Sequence, residues 1–130
     1  MINSLSSDQL ADLVQLARQY QGRARSSAPD KRVGAVTLTG DGNRFGGCNF
    51  EISYSASFSA EGIAIAKALT EGHDNFIALV IYVDTMSKFT LNLSALELLT
   101  TFSPRSLVIV ADSIGNSISN VAQDLYPRPT

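Results

Sequence analysis

Residues 57–69, Ser-Phe-Ser-Ala-Glu-Gly-Ile-Ala-Ile-Ala-Lys-Ala-Leu, constrain this chain more than any other stretch. Read as a helix they are apolar on almost every face, and such a helix has to be surrounded by other structure. The only charges in it are Glu61 and Lys67. Lysine can carry its ammonium to water on a long stem, whereas glutamate has less reach. Glu61 is therefore the residue that needs explaining. In a first turn its charge is favoured by the helix dipole and opposed by desolvation, a combination that shifts pKa values at functional sites. An ordinary first-turn acid on a solvent-exposed rim is the alternative, and the residue alone leaves both open.

The rest of the chain supplies the surroundings. With 130 residues, 45% of them hydrophobic, residues 1–130 are expected to form one domain with a real core. Ser6-Ser7-Asp8-Gln9 has the spacing of a capping box, and Leu10, Leu13, Val14, Leu16 and Ala17 follow at helical intervals, so the first element is an amphipathic helix ending near Gln21-Gly22. Residues 23–32 read as a polar connection containing Pro29. Residues 33–38 are apolar and β-branched, and Thr39-Gly40-Asp41-Gly42-Asn43 is the strongest turn signal present, which predicts a hairpin with 44–49. Gly46-Gly47 would let another element approach its second strand closely.

Residues 51–57 read as a Ser-rich loop containing Tyr54, and Gly72 is placed to stop the central helix. Phe76–Val83 is the most hydrophobic strand. Ser94-Ala95-Leu96-Glu97 has the form of a second capping box and opens a short helix through Leu99, bounded by Pro104. A buried strand at 106–111, a turn at 112–116, an edge strand at 118–121 and a last helical turn at 122–126 complete the order. That order predicts a three-layer α/β domain with helices on both faces of the strands.

Several function classes are excluded. The longest apolar run, 76–83, falls far short of the ~20 residues a membrane helix needs, and a net charge of −2 gives no reason to expect nucleic acid or an anionic membrane as a partner. Cys48 is the one cysteine, so neither an intrachain disulfide nor a cysteine-based zinc cluster is available. The first residues, Met-Ile-Asn-Ser-Leu-Ser-Ser-Asp, lack the basic and apolar regions of a signal peptide. A reducing cytoplasmic location is expected.

Five ordered pieces carry a resemblance. Val33-Gly34-Ala35-Val36, Asp41-Gly42, Gly47-Cys48-Asn49-Phe50-Glu51, Ser59-Ala60-Glu61 with Ile63-Ala64-Ile65, and Asp124-Leu125-Tyr126-Pro127 stand in the order and near the spacing of the small cytidine and blasticidin deaminases. The chain resembles that family over essentially its whole length. The resemblance implies a cytidine-deaminase-like α/β fold in three layers, a five-stranded mixed sheet with helices on both faces.

It also assigns roles. In that family a zinc-activated hydroxide attacks the base of a bound nucleoside. The metal is held by a Cys or His before Ala-Glu and by two Cys of a Pro-Cys-x-x-Cys segment, and the Glu shuttles protons. Glu61 matches the proton shuttle. Ser59, Asn92 and Ala95 stand at the three ligand positions, and a hydroxyl, a carboxamide and a methyl group do not replace thiolate and imidazole around zinc. His73, past the far end of a helix about 18 Å long at ~1.5 Å per residue, is too distant to help. The expectation is thus no metal and no cofactor.

Asn49 and Glu51 match the pair that grips the sugar 3′-hydroxyl, and a spacing of two puts both on one face of an extended segment. Ala60, Ser59 and Asn92 join them as expected ligand-binding positions. The base-stacking Phe of the family aligns with Lys31 and its C-terminal aromatic with Thr130, so the base pocket is expected to be rebuilt. Ser59 and Asn92 are good N-cap residue types, and each would cap its own helix; the alternative is that the two helix N-termini take an anionic group with Lys31 or Arg32 nearby. The functional expectation is a zinc-free relative that binds a nucleoside-like or other small polar ligand without hydrolytic deamination. A repurposed metal-independent enzyme using Glu61 as general acid/base stands as the alternative. The family's tetramers also lead to an expected homo-oligomer, tetramer or dimer, with Tyr54, Phe58 and Tyr126 as contact residues.

Overall fold

In the computed structural model, which describes residues 5–125, α1 (Ser7–Gln21) leads into a short strand β1 (Arg25–Ser26) and a 3-10 turn (Pro29–Lys31). The hairpin β2 (Val33–Thr39) and β3 (Arg44–Cys48) follows, then a second hairpin, β4 (Phe50–Ser53) and β5 (Ala56–Phe58). Next come α2 (Ala60–Thr70), β6 (Phe76–Val83), a 3-10 turn (Met86–Lys88), α3 (Leu93–Phe102), β7 (Leu107–Asp112), β8 (Ser117–Val121) and α4 (Ala122–Leu125).

The main sheet has the order β3-β2-β6-β7-β8. Its pairings are antiparallel except β6 with β7, which are parallel and connected through α3. Helix α1 covers one face, with Leu13 and Ala17 packed on Val36, Val80 and Ile109. Helices α2 and α3 cover the other, where Ala64, Ile65, Leu96 and Leu99 meet Ala35, Leu79 and Ile81. The three layers and the five-stranded mixed sheet expected from the sequence are present.

Two glycines set the spacing between these layers. A Cβ on Gly34 would collide with the Ala17 carbonyl oxygen and the Gln21 amide of α1. One on Gly47 would lie 2.8 Å from the Ala60 oxygen and 2.9 Å from the Ala64 nitrogen of α2, while Gly46 is covered by the Tyr20 ring. Helix backbone therefore rests directly on strand backbone on both faces of the hairpin, and the close approach expected at Gly46-Gly47 is realised.

Four local expectations need correction. Residues 51–57 contribute to a hairpin instead of a loop: Phe50 pairs across from Phe58, and the Ser57 hydroxyl donates to the Ser53 carbonyl at 2.8 Å. The serines hid the strand alternation. Residues 57 and 58 accordingly belong to β5, and α2 starts only after Ser59, which is extended and accepts from the Gly62 amide at 3.0 Å. At the other helix the sequence offered both Asn92 as a cap and a capping box at Ser94, and the structure bears out Asn92 and overturns Ser94: the Asn92 Oδ1 accepts from the Ala95 amide at 2.9 Å and from the Ser94 hydroxyl at 2.7 Å, and the helix runs on to Phe102. Finally, α2 is not buried all round. Ala60, Glu61, Ala64, Ile65 and Ala68 are buried, but Ala66, Lys67 and Thr70 are exposed. Tyr126, expected as a contact residue, lies outside the described residues.

Because the α1–β2 contact is backbone on backbone, neither side can yield by changing a rotamer. Gly34→Ala is expected to lose about 1–3 kcal/mol or more of stability in urea unfolding, the usual range for overpacking. A variant as stable as the parent would contradict the contact.

Candidate functional site

The starts of α2 and α3 meet at the C-terminal end of β6, and a cleft of about 650 Å³ opens in front of them. Its walls come from the Pro29–Lys31 turn and the start of β2, from Asn49 and Glu51, from Ser57 to Glu61, and from residues 85–93. Every site residue expected from the sequence, Glu61, Asn49, Glu51, Ala60, Ser59 and Asn92, lines this one cleft.

Glu61 is only 2% exposed, which removes the reading of an acid on a solvated rim. The Asn92 amide donates to its Oε2 at 3.0 Å, so one carboxyl group ties the first turn of α2 to the N-cap of α3. Burial pushes its pKa up, opposed by hydrogen bonds from the Asn92 amide and from its own, while the nearby charge of Glu51 adds to the rise.

Asn49 is 2% exposed and saturated by the fold. Its Oδ1 accepts from the Val33 amide at 2.8 Å, and its Nδ2 donates to the Lys31 carbonyl at 2.9 Å and to Glu51 Oε1 at 3.1 Å. The residue thus locks the entrance of β2 and orients Glu51, whose other carboxylate oxygen has no hydrogen bond among the described residues.

Ser59, Asn92 and Ala95 do lie together at the two helix starts, and their donor chemistry does not fit a zinc ion. The serine and asparagine oxygens already accept from their own helices' amides, and Ala95 contributes a methyl group. Among the described residues no three His, Cys, Asp or Glu side chains gather where a metal could be held. His73 stands elsewhere, against Phe45 with its Nδ1 3.4 Å from Asp41 Oδ2, and Cys48 is buried in β3.

The sequence reading missed the wall formed by residues 85–91. Lys88 reaches Asp30 across the cleft mouth with Nζ 3.0 Å from Oδ2, and this contact holds the Asp30 carboxyl below the usual range. Half-buried Phe89 and Leu91 add apolar lining. Only the long-range return of β6 to the hairpin brings this turn opposite Asp30, and no local pattern encodes that. Thr130 lies outside the described residues.

No family model matches the chain. Two curated relatives do: a probable cytidine deaminase of Dictyostelium discoideum, 31% identical over 86 residues that make up 65% of this chain and 58% of that protein, and a cytidine deaminase of Sporosarcina psychrophila, 37% identical over 73 residues, 54% of each. The chain thus spans little more than half the length of these relatives. The crystal structure of a cytidine deaminase from Burkholderia pseudomallei superposes with a TM-score of 0.83 at 25% identity, covering 97% of this chain and 100% of that one. Over little more than half of its length in sequence, and over nearly all of it in fold, the chain is similar to cytidine deaminases. Among the described residues no helix is long and apolar enough to cross a membrane.

Burial of Glu61 gives a signed pH effect. Its raised pKa means that the folded protein holds a proton that the unfolded chain releases, so this group's contribution is fully present below the ordinary Glu range and is lost as pH rises through the raised value. Glu61→Gln, which keeps an acceptor for the Asn92 amide, should therefore gain melting temperature relative to the parent as pH increases from 4 to 8; a pH-independent difference would contradict the burial argument. Ser59→Ala should cost about 1 kcal/mol, the usual value of a lost N-cap, in urea unfolding.

Proposed function

We propose that this cytidine-deaminase-like protein binds a nucleoside-like or other small polar ligand in the cleft beside Glu61 and does not perform zinc-dependent hydrolytic deamination. The observation that carries the reading is the use of Ser59 and Asn92 as helix caps, with Ala95 beside them, at the positions matched to the family's metal ligands. Structural and catalytic zinc sites take sulfur, imidazole or carboxylate donors in tetrahedral array, and this set offers none. Unaided water keeps a pKa near ~15, against ~7 on zinc, so Glu61 alone would face a deficit of many kcal/mol in making the nucleophile. Glu51, at the position matched to the family's sugar-gripping acid, in contrast keeps one carboxylate oxygen free among the described residues and is oriented by Asn49, and both line one cleft with Ala60, Ser59 and Asn92.

A second reading is favoured by one observation, the burial of Glu61 at 2% exposure in the wall of the cleft, which pushes its pKa up. A carboxylic acid that titrates nearer neutrality is a better general acid/base, so a metal-independent reaction on a substrate with an activated centre is the alternative. The 1–130 unit acts in either case as one domain, in the cytoplasm and as a homo-oligomer, dimer or tetramer. Support for self-association comes from the β4–β5 hairpin, which exposes Ile52, Tyr54 and Phe58 together.

Metal analysis of the purified protein should find no stoichiometric zinc, and cytidine should remain unconverted by ultraviolet assay. Zinc bound at one per chain, or turnover that chelators abolish, would overturn the proposal. In a thermal-shift screen of nucleosides, stabilisation that survives Glu61→Gln supports pure binding; a reaction that falls by ~10²–10⁴ in that variant supports the enzyme. Light scattering should give a mass above one chain, and a monomer would remove the self-association.

A further inference from the structure

The charges lining the cleft are unevenly placed between its floor and its rim. Six charged residues face it: Asp30, Lys31, Arg32, Glu51, Glu61 and Lys88. Asp30 and Lys88 neutralise one another across the mouth at 3.0 Å. Glu61 is buried at the floor of the cleft, 2% exposed, with its Oε2 accepting from the Asn92 amide at 3.0 Å. What remains at the rim is Lys31 and Arg32 against Glu51 alone, two cations to one acid, at exposed positions with no ion-pair partner within 4.0 Å among the described residues.

The backbone that carries those two cations is held from two sides. Asn49 receives the Val33 amide on its Oδ1 at 2.8 Å and donates to the Lys31 carbonyl at 2.9 Å. Gln21, from α1, donates to the Arg32 carbonyl at 3.1 Å and is itself fixed by a bond to Asp84 Oδ1 at 2.8 Å. Three backbone polar groups across residues 31–33 are thus satisfied by buried or half-buried amide side chains, which fixes where Lys31 and Arg32 emerge and reduces the ordering cost of binding. The same Asn49 amide donates to Glu51 at 3.1 Å. Cations and hydroxyl-gripping acid are therefore built on one clamp.

That juxtaposition selects a ligand. Glu51 can accept from a hydroxyl but repels an anion, while Lys31 and Arg32 next to it attract one. A sugar phosphate presents both groups a few bonds apart on one ring. Resting on the reading that the cleft binds nucleoside-like molecules, we propose that its ligand is a nucleoside monophosphate, with Lys31 and Arg32 holding the phosphate and Glu51 a sugar hydroxyl.

Calorimetric titration of the full chain with the four common ribonucleosides, their 5′-monophosphates and inorganic phosphate tests this. For at least one base the monophosphate should bind about tenfold or more tightly than its nucleoside, the step expected from charge-assisted hydrogen bonds, and the gain should shrink as salt is raised. In Lys31→Ala/Arg32→Ala the gain should vanish, so that monophosphate and nucleoside bind alike, whereas Lys31→Arg/Arg32→Lys should keep most of it. A nucleoside that binds with no gain from its phosphate sinks this inference and leaves the nucleoside reading standing. A gain that survives the double alanine variant also sinks it. Inorganic phosphate binding as tightly as the nucleotide would mark a simple anion site and overturn the assignment. Failure of every nucleoside and nucleotide to bind removes the nucleoside reading itself, and this inference with it.

Discussion

Everything that is organised at the cleft depends on how closely two helices can lie on the β2–β3 hairpin. At Gly34 and Gly47 the contact is between backbones, with no side chain interposed. A helix that touches a strand this closely cannot slide or rotate without breaking many dispersion contacts at once. The start of α2 is consequently fixed over β3, and with it Ser59, Ala60 and Glu61, while α1 is fixed over β2 and brings Gln21 to the Arg32 carbonyl. The hairpin serves as the reference frame for the cleft.

The sequence made this frame legible where local chemistry is strong. The turn at Asp41-Gly42 needs positive φ, and Gly42 has it at 89°; Gly72 stops α2 with φ at 91°. The all-apolar β6 and the capping box at Ser6 likewise declare themselves. Legibility fell where a strand is short, exposed and serine-rich, as in β4 and β5, because neither burial nor alternation marks such a segment. It fell again at the N-cap of α3, where Asn92 and Ser94 are both good capping types and only the approach of the Glu61 carboxyl to the Asn92 amide picks between them. Of the cleft, the acid, the Asn49 and Glu51 pair and the caps at Ser59 and Asn92 were readable as motifs. Asp30, Lys88 and Phe89 were not, because their proximity is a property of the β2–β6 pairing and not of their neighbours in sequence.

At the helix starts, bonds internal to the chain do the joining. The Glu61 carboxyl accepts from α3's N-cap residue, and each helix satisfies one further amide with its own cap at 2.9–3.0 Å. Two positive helix ends brought together would repel and leave donors stranded. An acid between them and two capping oxygens relieve both problems. The same acid that draws attention as a proton carrier is therefore part of what holds its own surroundings in place, and substitutions there act on stability and on ligand contacts at once.

Burial of Glu61 also reaches the other end of the cleft. An ionised Glu61 would set two acids, Glu51 and Glu61, against Lys31 and Arg32, and an anionic ligand would gain little from entering. Desolvation opposes that charge, and the Asp30–Lys88 pair removes one charge of each sign from the mouth. What is left is a cleft with a buried acid at its floor, tied to the Asn92 amide, and Lys31 and Arg32 exposed at its rim. A negatively charged group is best placed at that rim, away from the floor, so the burial that makes Glu61 anomalous also sets the polarity in which a ligand enters.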